Sequence, residues 1–187
     1  MPGDARARGL IALVLAVLFL AGAAPAPGGV FERGRHGERP WRLYVPGLAR
    51  TGPATPRPLV VALHGCWQTP EDFALGTRLN EAAERRGLLV LYPAQTRRHN
   101  PSRCWNWFEP PESPASETAA LAALIADVAR ARGTAPDRLF VVGLSAGGIM
   151  AVNLACTAPD LVAGIGVAAG LPYRCAASLA GTEACLR

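Results

Sequence analysis

The stretch Leu139 to Met150 reads LFVVGLSAGGIM, and the rest of the chain is interpreted outward from it. Leu139–Val142 is a short apolar run rich in Phe and Val, as in a buried strand. It passes through Gly143-Leu144-Ser145-Ala146-Gly147 into an alanine-rich helical pattern. A strand, a sharp turn and a helix put the serine at the apex of a nucleophile elbow, in strained backbone, with glycines where a side chain would strike the neighbouring strand or helix. The next amide, Ala146 N–H, falls in the first helical turn, where donors lack intrahelical acceptors and the dipole favours negative charge. It is a candidate half of an oxyanion hole. The competing reading is a serine that only caps the helix in a glycine-rich turn.

The same alternation of strand and helix continues on both sides. Leu59–Leu63 is an unbroken Val/Leu run of the kind covered on both faces, and it ends in His64-Gly65-Cys66. Pro70, followed by Glu71 and Asp72, opens a helical segment that continues, with a break near Gly76, to a terminal Gly87. Leu88–Tyr92 is the next strand, and Pro93–Pro114 is a long irregular segment of the kind that carries function. Ser116 does not complete a capping box, yet Glu117 lies near the start of an amphipathic helix with the stripe Leu121, Leu124, Ile125, Val128 and Ala129, ended by Gly133. After Ser145 the helix runs to about Ala158, Pro159 stops it, and Leu161–Ala169 supplies another strand. Upstream, Trp41–Val45 reads as an edge strand and Pro46–Pro58 as a turn-rich connection. This order predicts an α/β fold with a mostly parallel sheet and helices on both faces. Right-handed crossovers then bring Ser145 and Cys66 to its carboxyl edge.

The 187 residues suffice for one domain with a substantial core. The formal charge of +5 rests on arginine, since the sequence contains no lysine. The arginines are scattered, without aromatic interleaving or a basic helix face, so no nucleic-acid partner is expected. Arg6 and Arg8 precede the apolar run Leu10–Ala21 and the cleavage pattern Ala21-Gly22-Ala23. Residues 1–23 therefore read as a secretory signal, too short for a comfortable membrane anchor. A flexible Pro/Gly-rich segment over 24–40 and a catalytic domain over 41–187 follow. Export makes Cys66, Cys104, Cys156, Cys175 and Cys185 disulfide candidates. The sequence alone does not choose among the pairings; Cys66 with Cys104 and Cys175 with Cys185 are favoured, leaving one thiol. No Cys/His spacing of a zinc site occurs, and neither a metal nor another cofactor is expected.

Gly65 lets the backbone turn so that Cys66 N–H faces the same pocket as Ala146 N–H, a stronger reading of this loop than His64 as a catalytic base. A serine hydroxyl needs a base to take its proton and an acid to orient that base. His36, His64 and His99 all precede Ser145, and only Asp160 and Glu183 are carboxylates beyond it. Asp160 follows Pro159 and reads as a surface turn. Trp105, Trp107 and Phe108, with Trp67, either line a substrate cleft or pack the long loop onto the sheet.

Separated blocks in order carry a resemblance: Leu63-His64-Gly65-Cys66 with Gln68-Thr69, then Cys104-Trp105-Asn106-Trp107-Phe108, then Gly143 to Met150, then Gly170-Leu171-Pro172-Tyr173. They resemble the polyhydroxybutyrate depolymerase family of extracellular esterases, which is similar to feruloyl and acetyl xylan esterases. The resemblance runs from about Trp41 to the end. It implies an α/β-hydrolase fold, secretion, a Ser-His-Asp triad in the order Ser, acid, His, and hydrolysis of ester bonds in hydroxyalkanoate polymers or oligomers, or in plant cell-wall esters. Ser145 maps onto the family's nucleophile, and Cys66 and Ala146 onto its oxyanion amides. No residue matches its acid or its histidine, so the chain is expected to be C-terminally incomplete, with the last strands of the sheet missing. The expected partner is a polyester or small ester. Readings of other classes are a non-catalytic polymer- or glycan-binding protein on the same scaffold, and an inactive fragment.

Overall fold

The computed structural model describes residues 28–51, 56–176, 178 and 181–185. The segment read as a secretory signal lies outside the described residues. Six strands form one sheet in the order β1-β2-β4-β3-β5-β6. They are β1 (Val30–His36), β2 (Arg39–Val45), β3 (Leu59–Leu63), β4 (Leu89–Pro93), β5 (Leu139–Leu144) and β6 (Gly164–Ala168). The β1–β2 and β2–β4 pairs are antiparallel, while β4, β3, β5 and β6 run parallel. Between them lie α1 (Gly47–Thr51), α2 (Pro70–Thr77), α3 (Leu79–Arg86), α4 (Glu117–Ala131), α5 (Ala146–Thr157) and a short α6 (Thr182–Cys185).

The side-chain period of two explains the layers. On one face Leu59, Val61, Leu63, Leu89, Leu91, Leu139 and Val141 pack with Leu121, Leu124 and Ile125 of α4 and with Ile149, Met150 and Leu154 of α5. On the other, Ala62, Val90 and Tyr92 pack with Phe73 and Ala74 of α2 and Ala83 of α3. Alternate residues of β3 and β4 thus feed two cores, and helices cover both faces as expected. The stripe expected on α4 is buried along its whole length.

Three boundaries differ from the sequence reading. The strand around Trp41 is not at the edge, because β1 lies outside it; residues 30–36, placed in the flexible 24–40 segment, pair with β2 through a hairpin at Gly37, which has φ +56°. Phe31 also packs edge-on against Tyr92 at 5.6 Å between ring centres, so β1 is held by the core beneath it. The break between α2 and α3 falls at Arg78, not Gly76: Arg78 is left-handed at φ 54°, and its guanidinium donates to both Glu81 carboxylate oxygens. Pro46–Pro58 contains the short helix α1.

The capping chemistry is local and legible. Thr69 and Asp72 form a reciprocal capping box at the start of α2. Ser116 Oγ accepts from Ala119 N at the start of α4, so a serine that completes no box still caps. Both favoured disulfides form, Cys66–Cys104 and Cys175–Cys185, and Cys156 is free and exposed.

Candidate active site

β5 delivers Ser145 to the carboxyl rim of the sheet and α5 starts at the next residue. Ser145 has φ 54° and ψ −122°, backbone that a residue with a side chain adopts only under strain. The strain is held from both sides: Ser145 N donates to Ala168 O of β6 at 2.8 Å, and Ser145 O accepts from Ile149 N at 3.0 Å. The side chain is exposed and makes no capping bond, which removes the reading of a helix-capping serine. The glycines have the expected steric reason. A Cβ at Gly143 would overlap the backbone of Gly147, and one at Gly147 would overlap the carbonyls of Leu63 and His64.

Those same carbonyls show how the elbow meets the β3 loop. Leu63 is opposite Gly143 in the parallel ladder, so both chains leave the sheet at one level, and a Cβ on Gly65 would sit 3.5 Å from Leu144 O. The loop is then locked in place. Gly65 N donates to Gln68 Oε1 at 2.8 Å and Trp67 N to Ser102 O at 2.8 Å, on either side of the Cys66 amide, and the disulfide ties Cys66 to Cys104. Cys66 and Ala146 thus follow adjacent strands at one rim.

His64 has a different task. Its ring is fully buried, with Nδ1 2.7 Å from Gly65 O and Nε2 accepting from Gln95 N at 3.2 Å. A carbonyl on one nitrogen and a donor on the other fix the neutral Nδ1–H form. Burial lowers its pKa below the usual 6.5, consistent with a neutral ring. Both nitrogens being engaged, it is not free to accept a proton from Ser145. His99 is bonded to Thr96 Oγ1 at 2.7 Å, and His36 faces Asp127 at 3.1 Å.

Below the rim lies a buried charge network without local sequence signature. Arg39 Nη2 donates to Glu117 Oε1 at 2.5 Å, Gln95 Nε2 donates to both Glu117 oxygens and to Cys104 O, and Asn106 N donates to Glu117 Oε2. Such a pair is tolerated inside because every oxygen and much of the guanidinium is bonded. It fastens the loop between β4 and α4 to the sheet.

The tryptophans separate. Trp105 is fully buried, with its Nε1 donating to His64 O at 2.8 Å and its ring 5.5 Å from the Arg39 guanidinium carbon. It is a core residue; its expected place in a substrate cleft is corrected by that burial. Trp67 is 65% exposed beside Cys66. Trp107, packed edge-on to Phe108, forms a wall of a cavity of about 270 Å³ shared with Ile149, Asn153 and Leu171. Asn153 was not anticipated. A lone amide in the run from Ile149 to Leu154, otherwise apolar, was the available signal.

Comparison with known proteins gives this arrangement a context. Residues 38–187 match the family Esterase PHB depolymerase. Poly(3-hydroxyalkanoate) depolymerase C of Paucimonas lemoignei is 31% identical over 176 residues, covering 93% of this chain and 42% of that protein. Feruloyl esterase B of Neurospora crassa is 29% identical over 140 residues, covering 73% of this chain and 46% of that protein. The chain thus spans less than half the length of these two relatives. Among solved structures, an acetyl xylan esterase from Aspergillus awamori superposes with a TM-score of 0.67 at 23% identity, covering 82% of this chain and 55% of that one. This likeness supports the α/β-hydrolase fold that the six-stranded mixed sheet presents. With a family match over most of its length, the chain belongs to the Esterase PHB depolymerase family of carboxylic ester hydrolases.

Proposed function

We propose that in the whole protein Ser145 is the nucleophile of ester hydrolysis, and that the Cys66 and Ala146 amides hold the oxyanion. The observation that carries this is the elbow itself: an exposed serine in strained backbone, with no capping bond, at the level where β3 and β5 leave the sheet together. In the proposed cycle Ser145 Oγ attacks the ester carbonyl carbon and its proton passes to a base. The negative oxygen is held by the two amides, and collapse expels the alcohol, which takes the proton back. Water repeats the sequence on the acyl enzyme and releases the acid. The three histidines are all engaged elsewhere, so base and acid are assigned to parts of the whole protein outside these 187 residues.

The substrate we assign is a hydroxyalkanoate polyester or its oligomers, with a feruloyl or acetyl xylan ester as the second reading; the apolar wall of Trp107, Phe108 and Ile149 suits a polyester chain or a feruloyl ring. Secretion is proposed on the N-terminal Arg and apolar pattern together with two disulfides, which suit an oxidising compartment. No described helix is long and apolar enough to cross a membrane. The test is p-nitrophenyl butyrate hydrolysis by the whole protein. Ser145→Ala should lower kcat by about 10⁴-fold or more, and undiminished turnover would remove Ser145 from the chemistry.

A further inference from the structure

We propose that the cavity between the 107–111 and 171–176 segments is a binding site for an acyl group that ends in a hydroxyl, and that Asn153 Oδ1 is the acceptor that reads it. The inference rests on Ser145 being the nucleophile. The cavity wall is mostly apolar, with Trp107, Phe108, Ile149 and Leu171 around one deeply buried amide. Asn153 is 2% exposed. Its orientation is fixed, because Nδ2 donates to Trp107 O at 2.9 Å and only the NH2 end of the amide can do so. Oδ1 therefore points the other way, and it accepts no hydrogen bond from a described residue. Nor is it sealed from solvent, since Thr134 Oγ1 alone among the described residues is a buried side-chain polar atom without a partner. An acceptor that is open to a cavity but surrounded by apolar walls wants a donor, and leaving it unpaired costs the ligand that lacks one.

The two charged side chains at this cavity each have a partner elsewhere. Glu109 Oε2 accepts from Glu117 N at the start of α4, and the Arg174 guanidinium pairs with Glu112, which also accepts from the Tyr173 hydroxyl at 2.6 Å. Glu112, Tyr173 and Arg174 bridge the two segments that form the cavity.

Position gives the length of the ligand. Ile149 is one helical turn beyond Ser145 and Asn153 is two, about 12 Å along the axis of α5 at 1.5 Å per residue. An acyl chain of about seven bonds beyond the ester carbon, followed by one hydrogen bond, spans roughly that distance. A 4-hydroxycinnamoyl group and a 3-hydroxybutyrate dimer both meet this length and both end in a hydroxyl. The recognised chemistry is shared, and the experiment separates the two sources.

Binding is measured by calorimetry on the full chain carrying Ser145→Ala, so that no turnover is required. Methyl 4-hydroxycinnamate is compared with methyl cinnamate, and the methyl ester of the 3-hydroxybutyrate dimer with its terminal O-methyl ether. The hydroxylated member of at least one pair should bind about 10-fold more tightly, as expected for one hydrogen bond to an otherwise unpaired acceptor. Which pair shows the preference names the source. Adding Asn153→Leu should bring that ratio to about one. Asn153→Asp keeps an acceptor while losing the same donor to Trp107 O, so it should preserve the preference. Equal binding within both pairs overturns the proposal, as does a preference that survives Asn153→Leu in a chain with a cooperative thermal transition. If Asn153→Leu does not fold, the shift of the Asn153 side-chain amide resonances on adding the hydroxylated ligand decides, and no shift overturns it. Absence of Ser145-dependent hydrolysis by the whole protein is a separate outcome: it would refute the nucleophile without altering the hydroxyl preference.

Discussion

Strand-to-helix loops at the carboxyl rim of the sheet and helix-to-strand turns at its opposite end solve the same backbone problem differently. Where helices α3 and α4 turn back toward strands, the left-handed position is taken by glycine, Gly87 at φ 65° and Gly133 at φ 64°. Where strands β3, β5 and β6 run out, and in the long loop that follows β4, the corresponding residues are Trp67, Ser145, Ala169 and Arg103, at φ between 50° and 67°. The first set closes helices at no steric expense. The second set keeps side chains where a glycine would be easier, at a cost of about 1–3 kcal/mol each. Such strain persists only where surrounding structure enforces it, and the enforcement is visible: the Cys66–Cys104 disulfide between the neighbours of Trp67 and Arg103, the Ser145 bond to β6, and the charge network below. The rim that carries the proposed nucleophile is the strained one.

Removing the Cys66–Cys104 bridge attacks that contrast most directly. It closes a separation of 38 residues and its loss should cost about 4 kcal/mol by chain entropy. The double substitution Cys66→Ala/Cys104→Ala should lower the denaturation midpoint accordingly, and ester hydrolysis should fall with it because the Cys66 amide loses its anchor. An unchanged midpoint would mean the rim is enforced by something else.

Substitutions of opposite sense sharpen the comparison at smaller scale. Gly87→Ala forces a Cβ into left-handed backbone and should destabilise by about 1–2 kcal/mol. Trp67→Gly relieves the same strain at a side chain that is mostly exposed, and should stabilise by up to about 1 kcal/mol. Urea melts of both would settle it; shifts of the same sign would contradict the division into two rims.

A pH dependence arises beneath the rim. The folded protein holds His64 neutral with a lowered pKa, whereas the unfolded chain takes up a proton near 6.5. Stability present above pH 6.5 is therefore lost as pH falls below it toward the folded value, by up to about 1.4 kcal/mol per pH unit. His64→Asn should flatten the slope between pH 5 and 6.5, and a wild-type protein without such a slope would show that His64 protonates without consequence.

Much of this was legible from residues near one another in sequence. Leu59–Leu63 matched its strand to the residue because a Val/Leu run between polar ends has no competing register. The elbow, its glycines and the stripe of α4 followed from spacing alone. β1 was not legible: VFERGRH carries a glycine and three charged residues, and it becomes a strand by pairing with β2 and by packing Phe31 on Tyr92. Trp105 was misplaced because aromatic content near a site does not tell a cleft from a core; its burial comes from Arg39 and His64, far away in the chain. The Arg39–Glu117 pair joins residues 78 apart and has no local pattern to betray it.

Ser145 N hangs on the carbonyl of Ala168, the last residue of β6, and in the described sheet β6 is the outermost strand on its side, with Ile165 and Val167 exposed. The proposed nucleophile is therefore hitched to an outer strand of the described sheet. Mild heating or denaturant that frays this margin will slacken the elbow while the interior between α4 and β3 is still intact. Loss of the site will then run ahead of global melting, and whatever clamps β6 from its open flank will tune the serine from a distance.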